Sequence, residues 1–392
     1  MNARSMHRAF YCLLVLALSS SGCVHKPYSK PTSSEDGTIF MEPLQILSQP
    51  DQELGLSVFD AAVLFQEGLR LQEAGEHDQA LRYYERLLRD FGDSRYYSAA
   101  AFNAGRCYEE KGDFEKAVGR YQLILDGLPH SKDWVDAAFR SGGCLILLER
   151  HTEAAALYAR LLARSDLATA DRIDAQVARG EELVAAGELI EAEKAFRASL
   201  HLYREHERDE YFDPAPAARA EFNLAELLTR NFQVAPLRLP EDQLERDLEA
   251  KAQSLLEAQN SYLRAMRLGD PTWATASGYR IGRLYVAFYN AMDTAPVPED
   301  LADEEVTTYR QLLRQRLGVL LRKALNVFDL TVQLAERTHV DNQWTTAARQ
   351  EMTLIEEQVL SLLKEAEKSS TKGTESFAPA TPNQNPEHPN NK

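Results

Sequence analysis

Apolar residues recur at three- and four-residue spacing through most of the chain, which is the mark of amphipathic helices. The pattern is clearest in one stretch. Ala101, Ala104, Gly105 and Tyr108 share a helical face, Gly112-Asp113 interrupts it, and Phe114, Ala117 and Tyr121 start a second run that closes at Pro129. This predicts two helices joined by a tight turn. The unit then repeats. Gly68, Gly105 and Gly142 are 37 residues apart, and so are Ala80, Ala117 and Ala154, Tyr84, Tyr121 and Tyr158, and Leu87, Ile124 and Leu161. A fourth copy follows one residue late, at Gly180, Ala192 and Phe196. Columns in phase predict a stacked array rather than one globular core. Small residues such as Gly105 and Ala117 fall where the two helices approach, with aromatic side chains filling the space beside them.

Beyond the fourth copy the pattern stretches. Phe222-Asn223-Leu224-Ala225 echoes Phe102-Asn103-Ala104-Gly105, and its partner helix carries Ala258, Tyr262 and Ala265 after an insertion with Pro236 and Pro240. Tyr279, Gly282 and Tyr285 open another hairpin. A second insertion, Pro296 to Asp303, precedes a long helix with Leu317, Leu320, Leu321, Ala324, Phe328 and Leu334. If unbroken from Glu304 to Glu336, that helix is about 50 Å long. A last helix is predicted from about Trp344 to Lys364. The expected fold class is all-α, a solenoid of helix–turn–helix repeats with enlarged C-terminal helices. The array occupies 53–206 and a divergent helical domain 207–368.

The two ends differ from this body. Arg4 and Arg8 precede a ten-residue apolar core, Ala9 to Leu18, too short to span a bilayer and of the length of a signal peptide. Ser19-Ser20-Ser21-Gly22-Cys23 follows. Small residues leading into Gly-Cys resemble the bacterial lipobox, with Ser20 where Leu is usual. The resemblance implies cleavage after residue 22 and a lipid on Cys23; the alternative is ordinary cleavage that leaves Cys23 a bystander. Val24 after the cysteine resembles lipoproteins sent to the outer membrane. Residues 23–52 carry Pro27, Pro31, Pro43 and Pro50 among polar residues and read as a flexible tether. Residues 369–392, with Pro379, Pro382, Pro386 and Pro389, read as a disordered tail.

Composition narrows the function. Of 392 residues, 60 are acidic and 44 basic, for a net charge of −16. Losing Arg4 and Arg8 with the signal peptide deepens it to −18. Phosphate backbones need clustered Lys and Arg, so nucleic acid is not the expected partner. Four Cys cannot form a disulfide framework in a chain this long. Cys107 and Cys144 hold one repeat position, and equivalent atoms in neighbouring hairpins lie farther apart than the roughly 7 Å a disulfide bridges. Both are expected to be free and buried.

The hairpin of small and aromatic residues resembles the tetratricopeptide repeat, a helix–turn–helix unit of about 34 residues. Here the extra residues fall between units, in Phe91-Gly92-Asp93-Ser94 and Leu128-Pro129-His130-Ser131. That lengthened form resembles repeats of bacterial envelope proteins. With the lipobox, it is similar to the repeat lipoprotein of the β-barrel assembly machine and to the Tol–Pal coordinator. The resemblance implies a non-enzymatic, outer-membrane-anchored scaffold whose partners are envelope proteins or peptides. The enlarged C-terminal helices depart from both relatives and leave motility or secretion equally open. A rival from another class is a glycan- or substrate-capturing lipoprotein partnered with an outer-membrane transporter. Such proteins carry exposed Trp on long insertions, whereas Trp134, Trp273 and Trp344 all sit in helical patterns.

In such arrays first helices line a groove. Three residues before each repeat Gly or Ala stand Phe65, Phe102, Phe139, Val177, Phe222 and Tyr279, an almost unbroken aromatic row. It is either a groove for a peptide or packing between neighbouring first helices. A carboxylate clamp is not expected, because the flanking positions hold Ala62, Ala99 and Asp136, then Leu69, Arg106 and Gly143. No phosphate-binding glycine loop, nucleophile elbow or H-E-x-x-H motif occurs. His201 and His206, with Glu205, Glu207, Asp209 and Glu210, read as a charged helix end rather than a metal site. The Glu-Ser pair that a lytic transglycosylase needs occurs only at Glu375-Ser376. No catalytic residue, cofactor or metal is therefore expected.

Overall fold

The computed structural model describes residues 44–48, 56–206, 213–297 and 301–375. The signal-peptide, Cys23 and C-terminal tail positions from 376 onward lie outside them. The described residues form thirteen helices and one short hairpin of strands. Cα packing divides the chain into two compact units, Met1–Phe212 and Asp213–Lys392.

The first unit opens with β1 (Leu44–Ser48) antiparallel to β2 (Leu56–Asp60), with Ile46 opposite Val58. A flexible tether was expected through residue 52, so β1 is a difference. Leu56-Ser57-Val58-Phe59 is rich in strand-forming residues, and it supplies the edge on which Leu44-Gln45-Ile46-Leu47 pairs. Asp60 then caps the first helix, its carboxylate accepting from Val63 N–H at 2.7 Å.

Eight helices follow: α1 (Ala61–Glu73), α2 (His77–Asp90), α3 (Tyr97–Glu110), α4 (Phe114–Gly127), α5 (Trp134–Leu147), α6 (His151–Leu162), α7 (Thr169–Ala185) and α8 (Leu189–His206). Each packs on the next, giving four hairpins in the predicted register. The turn inside each hairpin needs a left-handed residue. Gly75, Gly112 and Gly187 supply it, and Glu149 takes the same conformation at φ 60° in the third hairpin.

One contact sets the hairpin geometry. A Cβ placed on Gly105 would lie 2.6 Å from the Tyr121 ring, and one on Gly68 equally close to Tyr84. Gly142 meets Tyr158 and Gly180 meets Phe196 in the same way. The missing side chain lets the aromatic ring lie against the backbone of the facing helix. Tyr84 and Tyr121 are fully buried there, as are Leu87 and Ile124 one turn on.

The second unit is built from α9 (Ala215–Val234), α10 (Glu241–Arg267), α11 (Pro271–Asp293), α12 (Asp303–Thr338) and α13 (Gln343–Glu375). The expected long helix is present as α12, about 54 Å at 1.5 Å per residue. The last helix extends to Glu375, so the start of the expected tail is helical. Ala225 stands at the repeat-glycine position in α9 and is buried, and in the same hairpin the ring centroids of Phe222 and Tyr262 are 5.6 Å apart. In the next hairpin Gly282 lies against Phe328, which restores the glycine-on-ring contact across a 46-residue separation. The loop between α9 and α10 is tied down by Lys251, which donates to the carbonyls of Phe232 at 2.7 Å and Ala235 at 2.8 Å. The carboxylate of Asp247 does the same, accepting from the Arg238 guanidinium at 2.9 Å.

Gly105→Ala forces the Tyr121 ring out of its seat, and overpacking of this kind costs about 1–3 kcal/mol. A methyl group added at Gly119 in α4 would meet nothing within 4 Å. There the same substitution removes backbone freedom from the unfolded chain and gains about 0.5–1 kcal/mol. Thermal melts followed by circular dichroism should therefore move in opposite directions for the two variants; a Gly105→Ala melt at or above the parent value would refute the contact's role.

Candidate functional site

The aromatic row does not form an open floor. Phe65, Phe102, Val177, Phe222 and Tyr279 are buried, and only Phe139 is half-buried. Each Phe packs on the aromatic residue of its own second helix. Centroid distances are 6.0 Å for Phe65–Tyr84, 5.7 Å for Phe102–Tyr121 and 6.1 Å for Phe139–Tyr158. Tyr279 meets Phe328 at 5.8 Å. The row is the seam inside the hairpins, and packing is the role the geometry gives it. An aromatic residue three positions before a glycine meets the ring that lies on that glycine, so periodicity alone could not separate seam from groove.

Polar groups at the edge of this seam act both within and between hairpins. Tyr84 Oη donates to Gln72 Oε1 at 2.8 Å, and Tyr121 Oη donates to Glu109 at the equivalent position at 2.5 Å. Glu109 also accepts from Arg140 of the next hairpin at 2.8 Å, and the Arg140 guanidinium lies 5.8 Å from the Phe102 ring centre. Arg120 reaches back to Glu85 at 2.6 Å and Arg150 to Glu115 at 3.0 Å. These contacts fix hairpin order and carry no chemistry of their own.

Cys107 and Cys144 are free thiols and buried, as their shared repeat position implied. Burial pushes the Cys107 thiol from 9.0 up to about 12, and the Cys144 thiol is raised for the same reason, reinforced by the nearby Glu109 carboxylate. Arg70 holds this position in the first copy and Glu182 in the fourth, a residue the repeat pattern did not single out. Glu182 is fully buried, and His151 Nδ1 lies 2.7 Å from its carboxylate. Among the described residues no cluster of three metal-ligating side chains occurs. His201 lies 3.5 Å from Glu205 on an exposed helix end, and residues 207–210 fall outside the described segments. Trp134, Trp273 and Trp344 are all buried. Trp134 Nε1 donates to Leu125 O at 3.0 Å, and Trp344 packs on Phe222 and Tyr279 at 5.9 and 5.6 Å. None offers the exposed indole face on which a sugar ring stacks. Among the described residues no helix is long and apolar enough to cross a membrane.

A shallow cleft of about 540 Å³ opens between the C-terminal ends of α2 and α4. Half-buried Leu88, Tyr97, Leu123 and Leu128 form its floor, and Gly92, Gly119 and Gly127 leave it unfilled. Asp93 and Asp126 stand on its rim. Asp126 is 3.0 Å from Arg160, but both are more than half exposed, so the pair is weak and screened. Two helix C-termini add their partial negative charge at the same place. The cleft thus offers an apolar socket with a negative rim. None of its residues belonged to the expected aromatic row; the lengthened inter-repeat segments that build it were visible, but not that they leave a gap.

Residues 65–132 match the tetratricopeptide repeat family. The matched segment takes in most of the first two hairpins, from Phe65 in α1 through α4, and so contains the cleft. No curated protein matches the sequence. Solved structures similar to the chain include a tetratricopeptide repeat protein from Parabacteroides merdae, 15% identical, covering 75% of this chain and 98% of that one at a TM-score of 0.36. The C-terminal part of a repeat protein from Cytophaga hutchinsonii is 11% identical, with 77% and 98% covered and a TM-score of 0.41. The Rap conjugation gene regulator of plasmid pLS20, in complex with the Phr* peptide, is 12% identical, with 78% and 97% covered at 0.35. The fold is an all-α tetratricopeptide-type stack.

The buried thiols make a solution prediction. Native protein should resist iodoacetamide at Cys107 and Cys144 at pH 8, and both should react after denaturation in urea. Because the folded chain keeps the Cys107 proton where the unfolded chain has lost it, stability present below pH 9 falls as pH rises from 9 towards 12. Cys107→Ala should make the urea midpoint less steeply dependent on pH in that window; an unchanged slope would rule the thiol out as a contributor.

Proposed function

We propose that the protein is a non-enzymatic scaffold, lipid-anchored through Cys23 on the periplasmic face of the outer membrane, that supports assembly or operation of a cell-envelope complex. The anchor and the location rest on the lipobox resemblance at Ser19–Cys23. The scaffold role rests on one structural observation: the cleft between α2 and α4 combines an apolar floor with a charged rim. Its chemistry suits a peptide segment in which an apolar side chain is followed by Lys or Arg. The apolar group fills the space left by the three glycines, and the base meets Asp93 and Asp126. Capture of glycans through an outer-membrane transporter is the second reading, and the burial of all three Trp residues weighs against it.

Crosslinking in cells, affinity purification and mass spectrometry test the proposal directly. Leu123→Asp, placed in the half-buried cleft floor, should remove the envelope proteins that co-purify with the parent while leaving the melting temperature within a few degrees. Cys23→Ser should shift the protein from the membrane fraction to the soluble one. Retention in the membrane would remove the anchor, and partners unaffected by Leu123→Asp would remove the cleft. Binding of glycans by calorimetry, with no co-purifying envelope protein, would favour the second reading.

A further inference from the structure

The outer side of α12 carries a second surface, independent of the cleft. Tyr309, Leu312, Arg316, Val319, Lys323, Asn326 and Leu330 are spaced alternately three and four residues apart, and all seven are exposed. The spacing is that of a heptad seam three repeats long, with Tyr309, Leu312, Val319 and Leu330 apolar and Arg316, Asn326 and Lys323 polar. It points away from the core: Leu317, Leu321, Ala324 and Phe328, buried against the hairpin, lie on the other side of the helix. Gly318 faces Leu362 of α13, so the neighbouring helix covers a different side again. The four large apolar members are 38–53% exposed. An exposed apolar stripe rimmed by polar residues marks an interaction surface.

Charge identifies the missing partner. Between Val306 and Phe328 the helix has five bases, Arg310, Arg314, Arg316, Arg322 and Lys323, and no acid. The chain as a whole has more acids than bases, 60 to 44, so this run is against its own trend. Arg310 and Arg314 are engaged with the end of α11, at the Ala295 carbonyl and the Asp293 carboxylate. Lys323 lies 5.7 Å over the Tyr285 ring, and Arg316 stands within the seam itself. A second copy of α12 laid alongside in register would set these five bases against the same five, because the acids of α12 stand only towards its ends, at Asp303, Glu304, Glu305, Asp329 and Glu336; this disfavours in-register self-pairing. We infer that the exposed heptad-spaced face of α12 docks an acidic amphipathic helix of another protein, which lays its apolar stripe on Leu312, Val319 and Leu330 and sets carboxylates against Arg316 and Lys323. The seam gives the apolar contact, and the bases select the partner and its register.

The test uses the full chain and a fluorescently labelled four-heptad helical peptide with Leu at both seam positions and Glu at the flanking ones. A matched peptide carries Lys for every Glu. Fluorescence anisotropy should show saturable binding of the Glu peptide only, weakened about tenfold or more between low and high salt. Leu312→Asp with Val319→Asp should abolish binding without lowering the melting temperature, because both residues are exposed. Arg316→Glu with Lys323→Glu should reverse the preference towards the Lys peptide. Equal binding of both peptides, or of neither, overturns the inference. So does binding to vesicles with anionic lipid in place of the peptide, and so does a dimer in light scattering that the Leu312→Asp, Val319→Asp variant dissolves.

Discussion

The hairpins of the first unit rest on a backbone that has no side chain in the way. Gly68, Gly105, Gly142 and Gly180 each let an aromatic ring of the second helix lie against the first. This sets the distance between paired helices, and with it the positions of everything that stacks on them. The Phe three residues before each of the first three glycines then fills the rest of the seam, and the buried Tyr hydroxyls find Gln72 and Glu109 just beyond it. A buried phenol without a partner would be costly, so the polar edge follows from the ring's position. Glu109 in turn holds Arg140 of the next hairpin, which couples packing within a hairpin to order between hairpins.

The second unit keeps the principle and alters its parts. Gly282 and Phe328 repeat the glycine-on-ring contact, while α9 makes do with Ala225 and an aromatic group drawn from three other helices. Trp273 and Trp344 are consumed in that cluster. Longer helices extend past their partners, and the α9–α10 loop needs Lys251 and Asp247 to hold it. Elongation also leaves surface that the described neighbours do not cover: Tyr309, Leu312, Val319 and Leu330 stay exposed on α12, and Leu354, Leu360 and Leu363 on α13. In the first unit, by contrast, the spare surface is a gap where glycines replace side chains between two helix ends.

Much of the fold was legible in the chain itself. The 37-residue columns located four hairpins, the paired small and aromatic residues located their contact, and the shared position of Cys107 and Cys144 implied two free buried thiols. These features are periodic because each hairpin must solve the same packing problem, and a repeated physical constraint leaves a repeated residue. The aromatic row was equally visible, but a Phe at helical spacing satisfies a seam and a groove alike. Strand β1 was hidden because its pairing partner, not its own proline-flanked sequence, makes it a strand. Glu182 was hidden because a single buried charge breaks the column instead of extending it.

Spacing along one helix, or between two adjoining ones, was therefore enough to specify the repeat, its helices and the side chains that must touch. Which apolar faces are consumed and which remain open was settled by packing in three dimensions. Burial is a property of what lies opposite a residue, and that depends on helices far away in the chain. Phe102 and Leu312 look alike in their local spacing; one is sealed beneath Tyr121 and the other stands open on α12 because none of the described helices covers it.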